Sequence, residues 1–295
     1  MQLRKLGVTD ILVSPIAWGM WRFRGDDLNA ARSRVEAALD AGITLFDTAD
    51  IYGPDNGEPF GAAEALLGRV FQTTPSLRPR MVLATKGGIR PGIPYDSRAD
   101  YLRSAIDASL TRLGTERVEL WQVHRPDILT HPQDLARTLE DAHRCGKIAA
   151  VGVSNFSVAQ TASLAHYLTI PLVSQQPQLS PLFLEPMQNG LLDQAMTMNL
   201  AVLAWSPLGG GRLGHPEEER TCAIAALLDE KAIEAGVNRA ASALSWIMAH
   251  PSRPIPISGT QNLERIAAIP QALKVDWTHQ QWYGVYETSL GERLP

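Results

Sequence analysis

Two cysteines in 295 residues, Cys145 and Cys222, with no Cys-x-x-Cys spacing, leave too little to build a disulfide framework or a thiolate zinc site. Both are expected to be bystanders or small buried hydrophobes, and their scarcity fits a reducing compartment. No metal is expected. No apolar run approaches the roughly 18 residues of a membrane span. The opening Met1-Gln2-Leu3-Arg4-Lys5-Leu6-Gly7 lacks the apolar core of a secretion signal. The protein is therefore expected in the cytoplasm and off the membrane. Charge of one sign is missing too. Twenty-seven Lys and Arg stand against 31 Asp and Glu, scattered to a net −4, so no basic stripe marks a nucleic-acid partner.

What the chain has is a repeated unit: a short apolar run, a turn, then an amphipathic helix. Candidate strands are residues 16–19, 44–46, 81–85, 118–123, 149–153, 172–175, 201–205 and 255–257. The intervals carry helix punctuation. Asp26-Asp27 open one helix and Gly42 closes it; Ser97-Arg98-Ala99-Asp100 resembles a capping box, with Gly114 at the far end. Pro132 starts a third helix that Gly146 stops, and Ser157-x-x-Gln160 opens a fourth. Strict alternation calls for a parallel sheet covered by helices. Eight units without a linker-like stretch predict one α/β domain over residues 1–295, a closed (β/α)₈ TIM barrel, with an open doubly wound sheet as the alternative. Gly209-Gly210-Gly211-Arg212-Leu213-Gly214 matches a G-x-G-x-x-G pattern. It follows the seventh strand, though, where a dinucleotide fingerprint would open the first βαβ unit. In a barrel, the same glycines suit a phosphate-binding loop.

Catalytic groups of a barrel gather at the C-terminal ends of the strands. There the chain places Asp47, Asp50 and Tyr52 after strand two, Lys86 after strand three, His124 after strand four, and Ser154 and Asn155 after strand five. A tyrosine titrates near 10 in isolation, and a neighbouring ammonium stabilises its phenolate. A carboxylate keeps that ammonium charged and aimed, and a neutral imidazole can orient a carbonyl oxygen. Together they form an apparatus for protonating a carbonyl oxygen, but no side chain supplies hydride, so a nicotinamide must. Asp47 could instead cap a helix, and Tyr52 could be a loop aromatic. Asp47 with Asp50 also raises a glycosidase pair, which opposed faces of a sugar make less fitting because both come from one turn.

Phe46-Asp47-Thr48-Ala49-Asp50-Ile51-Tyr52-Gly53 resembles the aldo-keto reductase signature. Lys86 in Ala-Thr-Lys-Gly-Gly, His124 in Gln-Val-His-Arg-Pro-Asp, and Gly-Val-Ser-Asn-Phe-Ser follow in that family's order. The resemblance runs from Gly19-Met20-Trp21 to Arg265. It implies an NADPH-dependent reductase of small aldehydes and ketones, with NADH as a possible substitute. Tyr52 would be the general acid, Lys86 would lower its pKa, Asp47 would pair with Lys86, and His124 would orient the carbonyl. Ser154, Asn155 and Gln176 would hold the nicotinamide amide, and Trp205 would stack on the ring. Ser206, Leu208 and Gly210 would line the pyrophosphate loop. Gly259, Thr260, Gln261 and Arg265 would grip the adenosine phosphate, and Trp21 and Phe156 would line an apolar substrate pocket.

The chain departs from the family pattern at several positions. Gln175 replaces an Asn, and Gln178 stands where an acidic residue is frequent. Gly259 and Gln261 occupy positions where many members carry Lys or Arg beside the 2′-phosphate, and Ile269 stands where Asn is frequent. Arg265 is left as the main cation there. The family also contains cofactor-binding subunits of a membrane channel. The absence of an N-terminal extension before Gln2-Leu3 favours the enzyme reading. Oligomeric state is not legible.

Overall fold

A computed structural model describes residues 1–295. Eight strands close a barrel: β1 (Ala17–Gly19), β2 (Leu45–Asp47), β3 (Val82–Gly87), β4 (Val118–Val123), β5 (Ile148–Ser154), β6 (Leu172–Gln176), β7 (Ala201–Ala204) and β8 (Ile255–Ser258). Every neighbouring pair is parallel, and β8 pairs with β1 through Ile257 with Ala17 and Ser258 with Trp18. All eight expected strands are present, their ends displaced by no more than two residues. The closed barrel therefore replaces the open-sheet alternative.

The helices around the strands are α1 (Leu28–Asp40), α2 (Ala62–Thr73), α3 (Ala99–Leu113), α4 (Pro132–Arg144), α5 (Val158–Tyr167), α6 (Glu185–Gln188), α7 (Leu191–Met198), α8 (Glu219–Ala235), α9 (Arg239–Met248), α10 (Leu263–Ala268) and α11 (His279–Leu290). None is long and apolar enough to cross a membrane. Asp27 caps α1 by accepting the Ala30 N–H at 3.0 Å, and Ser157 and Gln160 form the expected capping box on α5. The expected box at Ser97 does not form. Arg98 is the residue before α3 and makes no side-chain cap, while the Ser97 hydroxyl is buried without a partner. The loop is held from outside instead, because the Ser97 N–H donates to Asp127 Oδ2 at 2.9 Å.

Alternation with period two sorts the strand residues between lumen and outer core. Ala17, Leu45, Ala84, Leu120, Ala150, Val173, Leu203 and Ile257 fill the lumen, and Phe46, Leu83, Trp121 and Val151 face the helices. The N-terminal end of the lumen is plugged by an antiparallel hairpin, Arg4–Lys5 with Leu12–Val13, which inserts Leu6 and Val13. Gly7 is left-handed there (φ +57°). A Cβ on it would lie 2.5 Å from the Val173 carbonyl oxygen, so the hairpin cannot dock with a larger residue at that turn. A second short hairpin, Ile89–Arg90 with Ile93–Tyr95, stands on the opposite face after β3. Cys145 and Cys222 are both exposed and unbridged, so neither is the small buried hydrophobe that one reading allowed.

Candidate active site

Two residues beyond Leu45, Ala84 and Leu120, the lumen changes from apolar to polar, with Asp47, Lys86 and Gln122 in the corresponding places. Lys86 is fully buried, and its Nζ donates to Asp47 Oδ2 at 2.7 Å and to the Thr48 carbonyl at 2.8 Å. Gln176 Nε2 donates to Asp47 Oδ1 at 2.9 Å, and Gln122 Nε2 reaches the same oxygen at 3.5 Å. Ser174 Oγ in turn donates to Gln122 Oε1. Asp47 is thus the hub of a buried network rather than a helix cap. A buried ion pair is kept only when its remaining donors and acceptors are satisfied in this way. Gln122 and Ser174 were not singled out in the sequence, although period-two counting from Leu120 puts Gln122 in the lumen.

Two N–H groups of Lys86 are engaged, which leaves the third for Tyr52, whose ring centroid lies 5.0 Å from Nζ. The Tyr52 turn is tight. A Cβ on the next residue, Gly53, would lie 1.9 Å from the Pro59 carbonyl oxygen, so only glycine permits that approach. The Tyr52 and His124 rings meet edge to face, with centroids 6.0 Å apart. His124 is carried at the end of β4, its backbone N–H donating to the Gly87 carbonyl at 2.8 Å.

The electrostatics separate the roles. Burial, together with the nearby Lys86 and Arg125, holds the His124 imidazole well below its ordinary range, so it is neutral at physiological pH. Burial opposes the Lys86 charge, but Asp47 and Tyr52 outweigh it and hold the ammonium above its usual value. Tyr52 differs from the sequence expectation. Lys86 does pull its pKa down, but burial is the larger effect and the phenol ends above its ordinary value. The side chain is therefore a protonated donor at rest.

Ser154 Oγ donates to the Gln176 carbonyl at 2.9 Å. Asn155, left-handed at φ +61°, donates from Nδ2 to Ser154 Oγ and accepts the Trp205 indole N–H at 3.0 Å. Gln175 replaces the expected Asn without disrupting β6, since its Nε2 binds the Phe156 carbonyl and Thr161 Oγ1. After β7 the chain turns through Ser206 (φ +51°), Leu208 and three left-handed glycines, Gly209 to Gly211. Nothing lies within 4 Å of where a Cβ on Gly210 would be. A cavity of about 370 Å³ opens beside that loop between Gly210, Gly211, Arg212, His215 and Thr221, with the carboxylates of Glu217 and Glu218 also in its lining.

After β8, the Thr260 carbonyl accepts the Trp18 indole N–H at 2.8 Å. Gln261 Nε2 reaches the Gly19 carbonyl, while its Oε1 is buried without a partner. Arg265 sits in α10, and the Arg22 guanidinium approaches Gly259, with Nη1 3.8 Å from where a Cβ would be. Arg22 is a cation that the sequence reading did not place. Trp21 is open at 41% exposure, whereas Phe156 is buried at 5% in the outer core. An aromatic platform, a glycine loop and two cations form a donor set that fits a dinucleotide.

Asp50 lies outside this set. It is buried with both oxygens unpaired, and a Cβ on Gly87 would meet both its Oδ2, at 3.0 Å, and the Trp121 ring. Burial, reinforced by Glu64, holds its carboxyl well above the ordinary value, so the fold keeps it neutral while the unfolded chain ionises near 4. Between those two values, rising pH takes a proton from the unfolded state only, and stability falls. Asp50→Asn should therefore gain melting temperature over wild type, with the gain widening as the pH rises above the ordinary carboxylate range. A difference that stays constant with pH in thermal melts would show that Asp50 is ionised in the fold.

Residues 15–288 match the family described as aldo/keto reductase. The chain is 54% identical over 294 residues to a 6-dehydroglucose reductase of Novosphingobium aromaticivorans, covering 99% of this chain and 97% of that one. It is 34% identical over 306 residues to a 6-dehydroglucose reductase of Agrobacterium fabrum, covering 99% and 100%. Among solved structures, a thermostable aldo-keto reductase in complex with the inhibitor epalrestat superposes with a TM-score of 0.83 at 22% identity. That match covers 98% of this chain and 100% of the other, and it bears on the fold alone.

Proposed function

The chain belongs to the aldo/keto reductase family, and from that premise we propose that it reduces the C6 aldehyde of 6-dehydroglucose to the primary alcohol of glucose. Tyr52 acts as proton donor and NADPH is the preferred cofactor. The observation that carries the reductase reading is the fully buried Lys86–Asp47 pair set against Tyr52 and a neutral His124. The substrate rests on the 54% identity across nearly the whole of both chains. The same reading takes residues 1–295 as one cytoplasmic domain.

Reduced nicotinamide, when bound, supplies the hydride. His124, uncharged, offers a ring N–H to the carbonyl oxygen and fixes its direction. Tyr52 gives its hydroxyl proton to that oxygen, and Lys86 stabilises the phenolate left behind. Asp47 keeps Lys86 charged and, through Gln176 and Gln122, fixed in place. Trp205 would hold the nicotinamide ring, with Ser154 and Asn155 at its amide. Ser206, Leu208 and Gly210 would line the pyrophosphate, and Gly259, Thr260, Gln261 and Arg265 the adenosine phosphate. Arg265 supports NADPH over NADH because a guanidinium can pair bidentately with a phosphate. Arg22 adds a second cation nearby.

The test is consumption of reduced cofactor with 6-dehydroglucose, followed by identification of glucose as product. NADPH should be used in preference to NADH, and Arg265→Ala should shrink that preference. Turnover of simple aldehydes with none of 6-dehydroglucose would overturn the substrate, and a preference untouched by Arg265→Ala would overturn that residue's role.

A further inference from the structure

Most partly buried arginines in this fold have carboxylate partners, among them Arg78 with Glu119 at 3.0 Å, Arg112 with Glu64 at 2.7 Å, and Arg239 with Asp229 at 2.5 Å, while Arg34 on α1 has none and Arg4 has only the Arg253 carbonyl. This pairing is the expected pattern, because a guanidinium drawn out of water needs acceptors for its five donors. Arg125 breaks it. The side chain follows His124 at the end of β4 and is half-buried. Its guanidinium carbon lies 5.9 Å from the centre of the Trp205 ring, and it forms neither an ion pair nor a hydrogen bond with any group of the chain.

Its placement is set from both sides. The Asn155 Nδ2 holds the His124 carbonyl, and Asn155 Oδ1 holds the Trp205 indole against which the guanidinium packs. On its far side, Asp127 ties down the rest of the loop by accepting the Leu129 N–H, the Thr130 hydroxyl and the Ser97 N–H. Asp127 is two residues away but spends its oxygens on those groups, and no salt bridge joins it to Arg125. The Arg125 charge is close enough to both Tyr52 and His124 to act on their ionisation. An unpaired planar fork of donors therefore stands at the mouth of the site, beside the two groups that hold the carbonyl oxygen.

We propose that Arg125 selects the substrate. Its guanidinium grips two neighbouring hydroxyl oxygens of the sugar while Tyr52 and His124 hold the aldehyde oxygen, so the site favours polyhydroxylated aldehydes over bare ones. This rests on the sugar-aldehyde reading given above. The fork geometry matches a pair of oxygens in one plane, as a lysine ammonium does not. A site built to hydrogen-bond substrate hydroxyls loses more with an analogue lacking them than the missing contact alone, because its own donors are then left unpaired.

Arg125→Lys keeps the charge and loses the fork, and Arg125→Met loses both. Each variant is assayed on 6-dehydroglucose, on glyceraldehyde and on propanal. The ratio of kcat/KM for the hydroxylated aldehydes to that for propanal should fall at least tenfold in both variants, mainly through KM. The pH profile should stay near that of wild type in the lysine variant and shift in the methionine variant. Calorimetric affinity of the oxidised-cofactor complex for glucose should fall in step. Equal losses on propanal and on the sugars would make Arg125 a structural support and overturn the proposal. A wild-type preference for glyceraldehyde 3-phosphate over glyceraldehyde that vanishes in Arg125→Met would overturn it too, by showing that the fork reads an anion. Failure of the wild type on 6-dehydroglucose, with the glyceraldehyde-to-propanal ratio still collapsing in the variants, would remove that sugar and leave the role of Arg125 standing.

Discussion

Tyr52→Phe is expected to lower kcat by a factor of roughly 10²–10⁴ while the reduced cofactor binds as it does to wild type. The phenylalanine ring can keep the edge-to-face contact with His124, whose centroid lies 6.0 Å away, and the packing under Lys86 Nζ. What disappears is the one hydroxyl placed to give a proton to the carbonyl oxygen. Burial holds that hydroxyl protonated, so the loss appears at neutral pH and is not confined to one end of the profile. Steady-state turnover beside cofactor fluorescence titration separates chemistry from binding. A variant within tenfold of wild-type kcat would mean that another group delivers the proton.

Arg112→Met is expected to be the most damaging change away from the site, costing about 3–5 kcal/mol and on the order of 10 °C in melting temperature. Glu64 on α2 has a side chain with no exposure, and Arg112 on α3 reaches Oε2 through Nε at 2.8 Å and Nη2 at 2.7 Å. The Thr85 hydroxyl serves the other carboxylate oxygen, so Glu64 ties both helices to β3. Removing the arginine strands a carboxylate that water cannot reach. The double variant Glu64→Gln with Arg112→Met should be less damaged than Arg112→Met alone, because the stranded charge is gone. Thermal melts of the three variants decide it. A double variant at or below the single one would mean that packing, not charge, is lost.

The barrel was legible because its strands are short apolar runs between helices with clear punctuation, and because parallel strands buried on both faces have few other arrangements. The plugging hairpin was not legible, since Arg4–Lys5 and Leu12–Val13 are two residues each and derive their stability from the barrel beneath them. Helix α2 went unmarked because Gly61 before it makes no side-chain cap. Ser97 misled for a related reason. Its sequence suits a cap, but a tertiary partner, Asp127, took over the loop. At the site, residue types at strand ends were enough to single out Asp47, Tyr52, Lys86 and His124 as candidates, and the fold brings the four together. The network behind Asp47 needed register, because Gln122 and Ser174 matter only through which face of the strand they occupy. The balance at Tyr52 needed burial, which no motif carries.

The pairing of β1 with β8 means that the barrel is sealed by the first and last of its strands. A ribosome making 5–20 residues per second releases Trp18 roughly ten to fifty seconds before its partners around Ser258 and Thr260 exist. Through that interval the nascent sheet carries an open edge at β1, with a backbone ladder ready to pair with any other extended chain. The hairpin that plugs the lumen waits as well, since its seat at Val173 is made long after Gly7 has emerged. During synthesis, then, the N-terminal end of the chain is the part most in need of shelter, and its protection arrives only when the far end of the same molecule reaches it.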